Sequence, residues 1–131
     1  MNYHDGDQIL PGDFPKELSR FAISLVPHGS IEVAWKYEHV IPAIEYFTTK
    51  GYAILGGDVL TQKGEDIVYT RDNWYIKEEE SDWTHFVEKS QIKAIDYITK
   101  YYLRNGDGYY YAFRAVPHNW REIIEHTKKS L

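Results

Sequence analysis

Between Trp83 and Tyr102 the residues Trp83, Phe86, Val87, Ala94, Ile95, Ile98, Tyr101 and Tyr102 recur mainly at spacings of three and four. That period belongs to a helix with one apolar stripe, running here to about Arg104. A stripe this long has to be buried against something, and the chain offers β-prone segments on both sides. Before it come "YAILGGDVL" (52–60) and "DIVYT" (66–70), joined by the turn-forming "TQKGED"; after it comes "YYYAFRAV" (109–116), bounded by "NGDG" and Pro117. The order predicts an α+β fold, a small, mainly antiparallel sheet of three to four strands with helices packed against it.

Weaker signals fill in the rest. Residues 1–15 are polar and hold Pro11, Gly12 and Pro15, which predicts an arm on the surface. "FPKELSRFAISLV" predicts a short helix opening at Pro15 and ending before Pro27, with "PHGS" as a turn. From Ile31 to Lys50 the residues Ala34, Tyr37, Ile41, Ile44 and Phe47 form a second helical stripe that Gly51 ends. Pro42 disturbs it, so this helix either begins near Glu38 or kinks at the proline. Ser81 is a candidate N-cap for the long helix, with Asp82 and Trp83 in its first turn. A last helix runs from Asn119, with Trp120, Ile123 and Ile124 inward and Lys128 and Lys129 near its end. With 131 residues and no linker, repeat or low-complexity tract, one domain over 1–131 is expected.

Composition excludes several classes. A formal net charge of -5 disfavours direct nucleic-acid binding and favours a basic or neutral partner. No cysteine is present, which removes disulfides, zinc–thiolate sites and cysteine nucleophiles and favours a reducing compartment. The start lacks a basic and then apolar signal, and no apolar run could span a bilayer, so a cytoplasmic location without a membrane is expected. The 12 tyrosines suit either a small core whose polar tips reach water or a contact surface.

No catalytic constellation stands out. The six histidines (4, 28, 39, 85, 118 and 126) show no metal spacing, the serines lack a nucleophile context, and no phosphate-binding glycine motif occurs. No cofactor and no metal are expected. Asp58, Asp66 and Asp72 lie in or beside the hairpin, and Asp58 with Asp72 could hold a divalent ion in a small hydrolase. The simpler reading is structural: Gly56 and Gly57 bend or bulge the first strand, and Asp58 ties the bend to the Asn73–Trp74 segment or to freed backbone amides. "DNWY" (72–75) reads either as a core tryptophan beside a turn or as a contact surface. The run Glu78, Glu79, Glu80, Ser81, Asp82 is either a solvated linker or the edge of an interface meeting a basic partner. On the interface reading, Asp72, Trp74, Tyr75, Glu78, Glu79, Glu80 and Asp82 bind the partner, and Gly56, Gly57, Asp58 and Asn73 support them. An aromatic pocket for a small molecule is a further alternative. The tyrosine-rich strand could pair with a second copy at a sheet edge, but nothing demands it.

"YAILGGDVL" followed by "DNWY", a helix and a tyrosine-rich strand resembles the bacterial immunity proteins of polymorphic toxin systems, in particular immunity family number forty. The likeness spans Ala34 to Val116, anchored on Gly56, Gly57, Asp58, Asn73, Trp74 and Tyr75. It implies an α+β protein that neutralises a toxin encoded nearby by binding it, and it carries over no catalytic residue. Many such toxins are nucleases with basic clefts, which an acidic, tyrosine-rich domain could cover.

Overall fold

The computed structural model describes residues 10–25, 32–78 and 82–129, with side chains as far as Glu125. The elements are α1 (Lys16–Ser19), β1 (Ile23–Ser24), β2 (Val33–Lys36), α2 (Tyr37–Thr49), β3 (Ala53–Lys63), β4 (Asp66–Tyr75), α3 (Trp83–Asn105), β5 (Tyr109–Val116) and α4 (Trp120–Lys129). The strands form an open antiparallel sheet in the order β1-β2-β5-β3-β4.

The fold is α+β, but the sheet has five strands where the sequence predicts three to four. The short strands β1 and β2 make the difference. The helix predicted from Pro15 towards Pro27 stops at Ser19, and Ile23 and Ser24 pair with Ala34 and Val33. Over residues 33–36 two periods coincide: Ala34 continues a helical stripe, whereas Val33 and Trp35 alternate as a strand does. So short a run cannot separate them by pattern. Tertiary burial decides for the strand: Trp35 is buried, and its indole N–H donates to the Leu18 carbonyl at 2.9 Å. The helix then begins at Tyr37, with Pro42 on its exposed side in the second turn, which is the first of the two alternatives.

The β3–β4 hairpin is longer than "TQKGED" suggests. Thr61 to Lys63 continue the strand, and only Gly64 and Glu65 turn the chain, Gly64 taking φ +65°. Of the predicted arm, residues 1–9 lie outside the described residues. Its end is packed, since Phe14 is buried against Trp35, Tyr46 and Phe47, and Asp13 accepts hydrogen bonds from Tyr46 and Lys50. The "PHGS" turn falls outside the described residues, and the N-cap of α3 is Asp82 rather than the expected Ser81, because the Asp82 carboxylate reaches the Thr84 N–H.

Helices α2 and α3 cover one face of the sheet, where Trp35, Val59, Tyr111 and Phe113 meet Ile44, Phe86 and Ile98. A smaller apolar cluster of Leu25, Ala34, Leu60, Ile67 and Ala112 lies on the other face. Alternation along the strands produces the two sets, because successive side chains point to opposite faces. Ser90, fully buried on α3, fastens helix to sheet: its hydroxyl accepts from the Ile54 N–H and donates to the Val87 carbonyl, both at 2.9 Å. No helix among the described residues is long and apolar enough to cross a membrane.

Candidate functional site

The glycine pair sits between two irregularities in β3, one against β5 between Ile54 and Gly56 and one against β4 between Asp58 and Leu60. What the glycines free is space. Gly57 is the ladder partner of Trp74, and a Cβ at Gly57 would overlap both the Trp74 indole and the Ala112 carbonyl. At Gly56, with φ +153°, a Cβ would overlap the Trp74 carbonyl. The Trp74 indole therefore lies down over Gly57, and its other side stacks on Tyr97 of α3 with ring centroids 4.9 Å apart. Tyr97 in turn stacks on Tyr101 at 6.2 Å.

Opposite the second irregularity, β4 bulges. Arg71 adopts φ +79°, and side chains hold the kink: the Thr70 hydroxyl donates to the Val59 carbonyl at 2.8 Å and accepts from the Asp72 N–H at 3.1 Å. The Asn73 amide donates to the Arg71 carbonyl at 3.3 Å. Bulges re-aim neighbouring side chains. Here the kink brings Asp72 to α3, where it accepts the Tyr101 hydroxyl proton at 2.8 Å. Burial, then this bond, pushes the Tyr101 phenol up to about 12, while burial and nearby Asp72 push Tyr97 up as well. Both tyrosines thus remain neutral donors at physiological pH.

A groove of about 490 Å³ runs between the end of β4 and α3, with Asp72, Trp74, Tyr75 and Ile76 on one wall and Lys93, Tyr97, Tyr101 and Arg104 on the other. Since β4 ends the strand order, no strand among the described residues pairs with its outer edge beside the groove. Tyr75 stands at the mouth, 79% exposed. Large exposed aromatics next to an open strand edge are features of contact surfaces. The groove's charge is opposite in sign to the chain's. Asp72 is engaged by Tyr101 and Asp96 by Lys100 at 3.0 Å, whereas Lys93 and Arg104 form no ion pair among the described residues.

Of the predicted contact residues, Asp72, Trp74 and Tyr75 come together in this groove. Glu78 lies elsewhere: it pairs with Arg121 of α4 at 2.9 Å, its side chain only 20% exposed. Asp82 caps α3, accepting from the Thr84 N–H at 3.0 Å. Glu79 and Glu80 lie outside the described residues. The acidic members that can be placed therefore serve a helix cap and an internal ion pair, and neither lines the groove.

Asp58 pairs in register with Asn73 and Ala112, on the face turned away from α3, and accepts no side-chain hydrogen bond among the described residues. Burial raises its carboxyl above the usual range, and burial followed by Asp58 itself raises Glu32, against the opposing pull of Arg114. Asp58 and Asp72 thus face opposite sides of the sheet. Among the described residues no three His, Cys, Asp or Glu side chains are grouped to hold a metal ion. An apolar cavity of about 510 Å³ lies between β2, β5 and α4, lined by Trp35, Phe47, Phe113, Val116 and Trp120, with Glu32 and Arg114 at its polar end.

The pattern misses the helical wall of the groove. Lys93, Tyr97, Tyr101 and Arg104 repeat at helical spacing beside the buried stripe of Ala94 and Ile98, a flanking row that could have marked them. Compared with protein families, residues 24–115 match the model of the family described as Immunity protein 40, a stretch from β1 to β5 that holds both the Gly-Gly-Asp and the Asp-Asn-Trp-Tyr segments. Compared with curated proteins and with solved structures, the chain finds no match.

Proposed function

The chain belongs to the Immunity protein 40 family, and from that premise we propose that it binds a cognate bacterial toxin and neutralises it by protein–protein contact, with no chemistry of its own. It acts as one domain in the cytoplasm of the producing cell. The toxin docks on the open β4 edge and the adjoining face of α3, where Asp72, Trp74 and Tyr75 meet Tyr97 and Tyr101. The observation that carries this assignment is the groove itself: an open strand edge, a 79% exposed tyrosine and a stacked aromatic wall lie side by side. A net charge of -5 favours a toxin with a basic surface, such as a nuclease, because opposite net charges speed encounter.

The test is co-expression. A toxin domain encoded beside this gene should stop growth when expressed alone and permit it when this chain is co-expressed, and purified toxin should lose activity at one equivalent of added protein. Growth arrest that persists despite soluble co-expressed protein would refute the reading. The apolar cavity beside α4 supports a second reading, a small-molecule binding domain. Thermal stabilisation by a ligand and none by the toxin would select it.

A further inference from the structure

We infer that the groove takes an extended acidic segment of the partner, laid along β4 from Asn73 to Tyr75, with one carboxylate near Lys93 and a second near Arg104. This rests on the reading that the β4–α3 face is the docking surface, and it specifies which chemistry that surface accepts.

Charge complementarity is the first ground. In a chain of net charge -5, this groove carries Lys93, Lys100 and Arg104 against Asp72 and Asp96. Both acids are engaged, Asp72 by the Tyr101 hydroxyl and Asp96 by Lys100, which leaves two cations uncompensated among the described residues. Arg104 is also favourable in the last turn of α3, where the helix end is negative, but Lys93 sits mid-helix and gains nothing of that kind. A cationic strip in an anionic domain fixes orientation: the overall field attracts a basic partner, and the strip accepts it only where an acidic segment comes to face it.

Geometry supplies the spacing. Lys93 and Arg104 are eleven positions apart on one helix, so at 1.5 Å per residue they are separated by about 16 Å along its axis. A single carboxylate cannot bridge that distance. Carboxylates four positions apart on an extended chain share one face and lie about 13 Å apart at roughly 3.3 Å per residue, and the long Lys93 and Arg104 side chains reach across the rest. The strand runs alongside the helix in the opposite sense, with Trp74 beside Tyr97 and Asp72 beside Tyr101, so a segment following the β4 edge also follows the cationic strip. The bulge at Arg71 interrupts the edge on one side and confines added pairing to Asn73–Tyr75.

The third ground is an unused donor. Trp74 is only 9% exposed, and its indole N–H has no acceptor among the described residues, whereas the indoles of Trp35 and Trp83 donate to the carbonyls of Leu18 and Gly51. Buried donors are rarely left over. A peptide carbonyl brought in along the edge meets that need once the rings at the groove mouth part.

The probe is a blocked pentapeptide, Glu-Thr-Val-Thr-Glu, whose two glutamates share one face of an extended strand, titrated into nitrogen-15-labelled full-length protein and followed by NMR. Its counterpart with lysine at both ends is the control. Saturable shifts in the Trp74 indole and in residues 73–76 and 93–104 are expected, with affinity at least tenfold weaker for K93Q/R104Q and no binding of the lysine peptide. No saturable shift, or equal affinity for wild type and K93Q/R104Q, would overturn the inference. Toxin neutralisation is read separately. A protein that protects against the toxin yet ignores the acidic peptide would sink this inference and leave the immunity role standing. One that binds the peptide and fails to protect would do the reverse.

Discussion

Gly57→Ala should be among the most damaging single-methyl additions in this protein. The new Cβ would overlap two things at once, the Trp74 indole and the Ala112 carbonyl. Neither can yield freely: Trp74 is held between Gly57 and Tyr97, and Ala112 lies in the β3–β5 ladder, where it partners Asp58. Overpacking of this kind costs about 1–3 kcal/mol, and displacing the indole from its stack adds about 0.5–1.5 kcal/mol. A loss of roughly 3 kcal/mol follows, equivalent to about 12 °C in Tm for a domain of this size. Gly64→Ala is the control, because Gly64 has a left-handed φ of +65° but no atom within 4 Å of a new Cβ. It should cost about 1 kcal/mol, the backbone term alone. Urea denaturation of the two variants beside wild type, with thermal melts in parallel, measures the difference. A Gly57→Ala protein no less stable than Gly64→Ala would refute the view that Gly57 exists to seat Trp74.

Three further outcomes follow from particular contacts. Asp58 and Glu32 have carboxyls raised above their ordinary values, chiefly by burial, so the folded state holds their protons more tightly than the unfolded chain does. Their stabilising contribution is complete below the ordinary carboxylate range and is lost as pH rises through the raised values. Asp58→Asn should therefore melt higher than wild type at pH 7, with the gain shrinking towards the ordinary aspartate value near about 3.9; a lower melting temperature at pH 7 would contradict this. Ser90→Ala leaves the buried Ile54 N–H without its acceptor and should cost about 1–3 kcal/mol in urea unfolding. Asp82→Ala removes the α3 cap and should cost about 1 kcal/mol, with faster amide exchange in the first turn and none of this loss for Asp82→Asn.

Where local signals agree, the sequence is a good guide. Strand β5 occupies the stretch from Tyr109 to Val116 that its β-prone run, "NGDG" and Pro117 mark out, and α3 follows its stripe from Trp83 to Asn105. Two short strands escape because Val33 to Lys36 fits both periods, and only Trp35 reaching across to Leu18 resolves it. The site is half legible. Asp72, Trp74 and Tyr75 announce themselves as one cluster, but the cations that set the groove's charge come from α3, and chain proximity does not reveal which face of a helix meets which strand. The acidic run leaves two readings open, and its described members take structural places. Glu78 pairs with Arg121 and Asp82 caps the helix that follows, partners that the run's charge alone does not identify. Gly-Gly-Asp is legible as an irregularity, yet its purpose is visible only across the ladder: the space at Gly57 belongs to Trp74, while Asp58 turns to the far face.

The most direct test of the central assignment is hydrogen–deuterium exchange of this protein, alone and with the toxin domain encoded beside it. Protection is predicted over residues 72–76 of β4 and its outgoing loop and over 93–104 of α3, with the far face of the sheet around Asp58 and Ala112 unchanged. Protection centred on that far face or on the α4 cavity, with β4 and α3 exchanging as in the free protein, would contradict the β4–α3 groove as the toxin-binding surface.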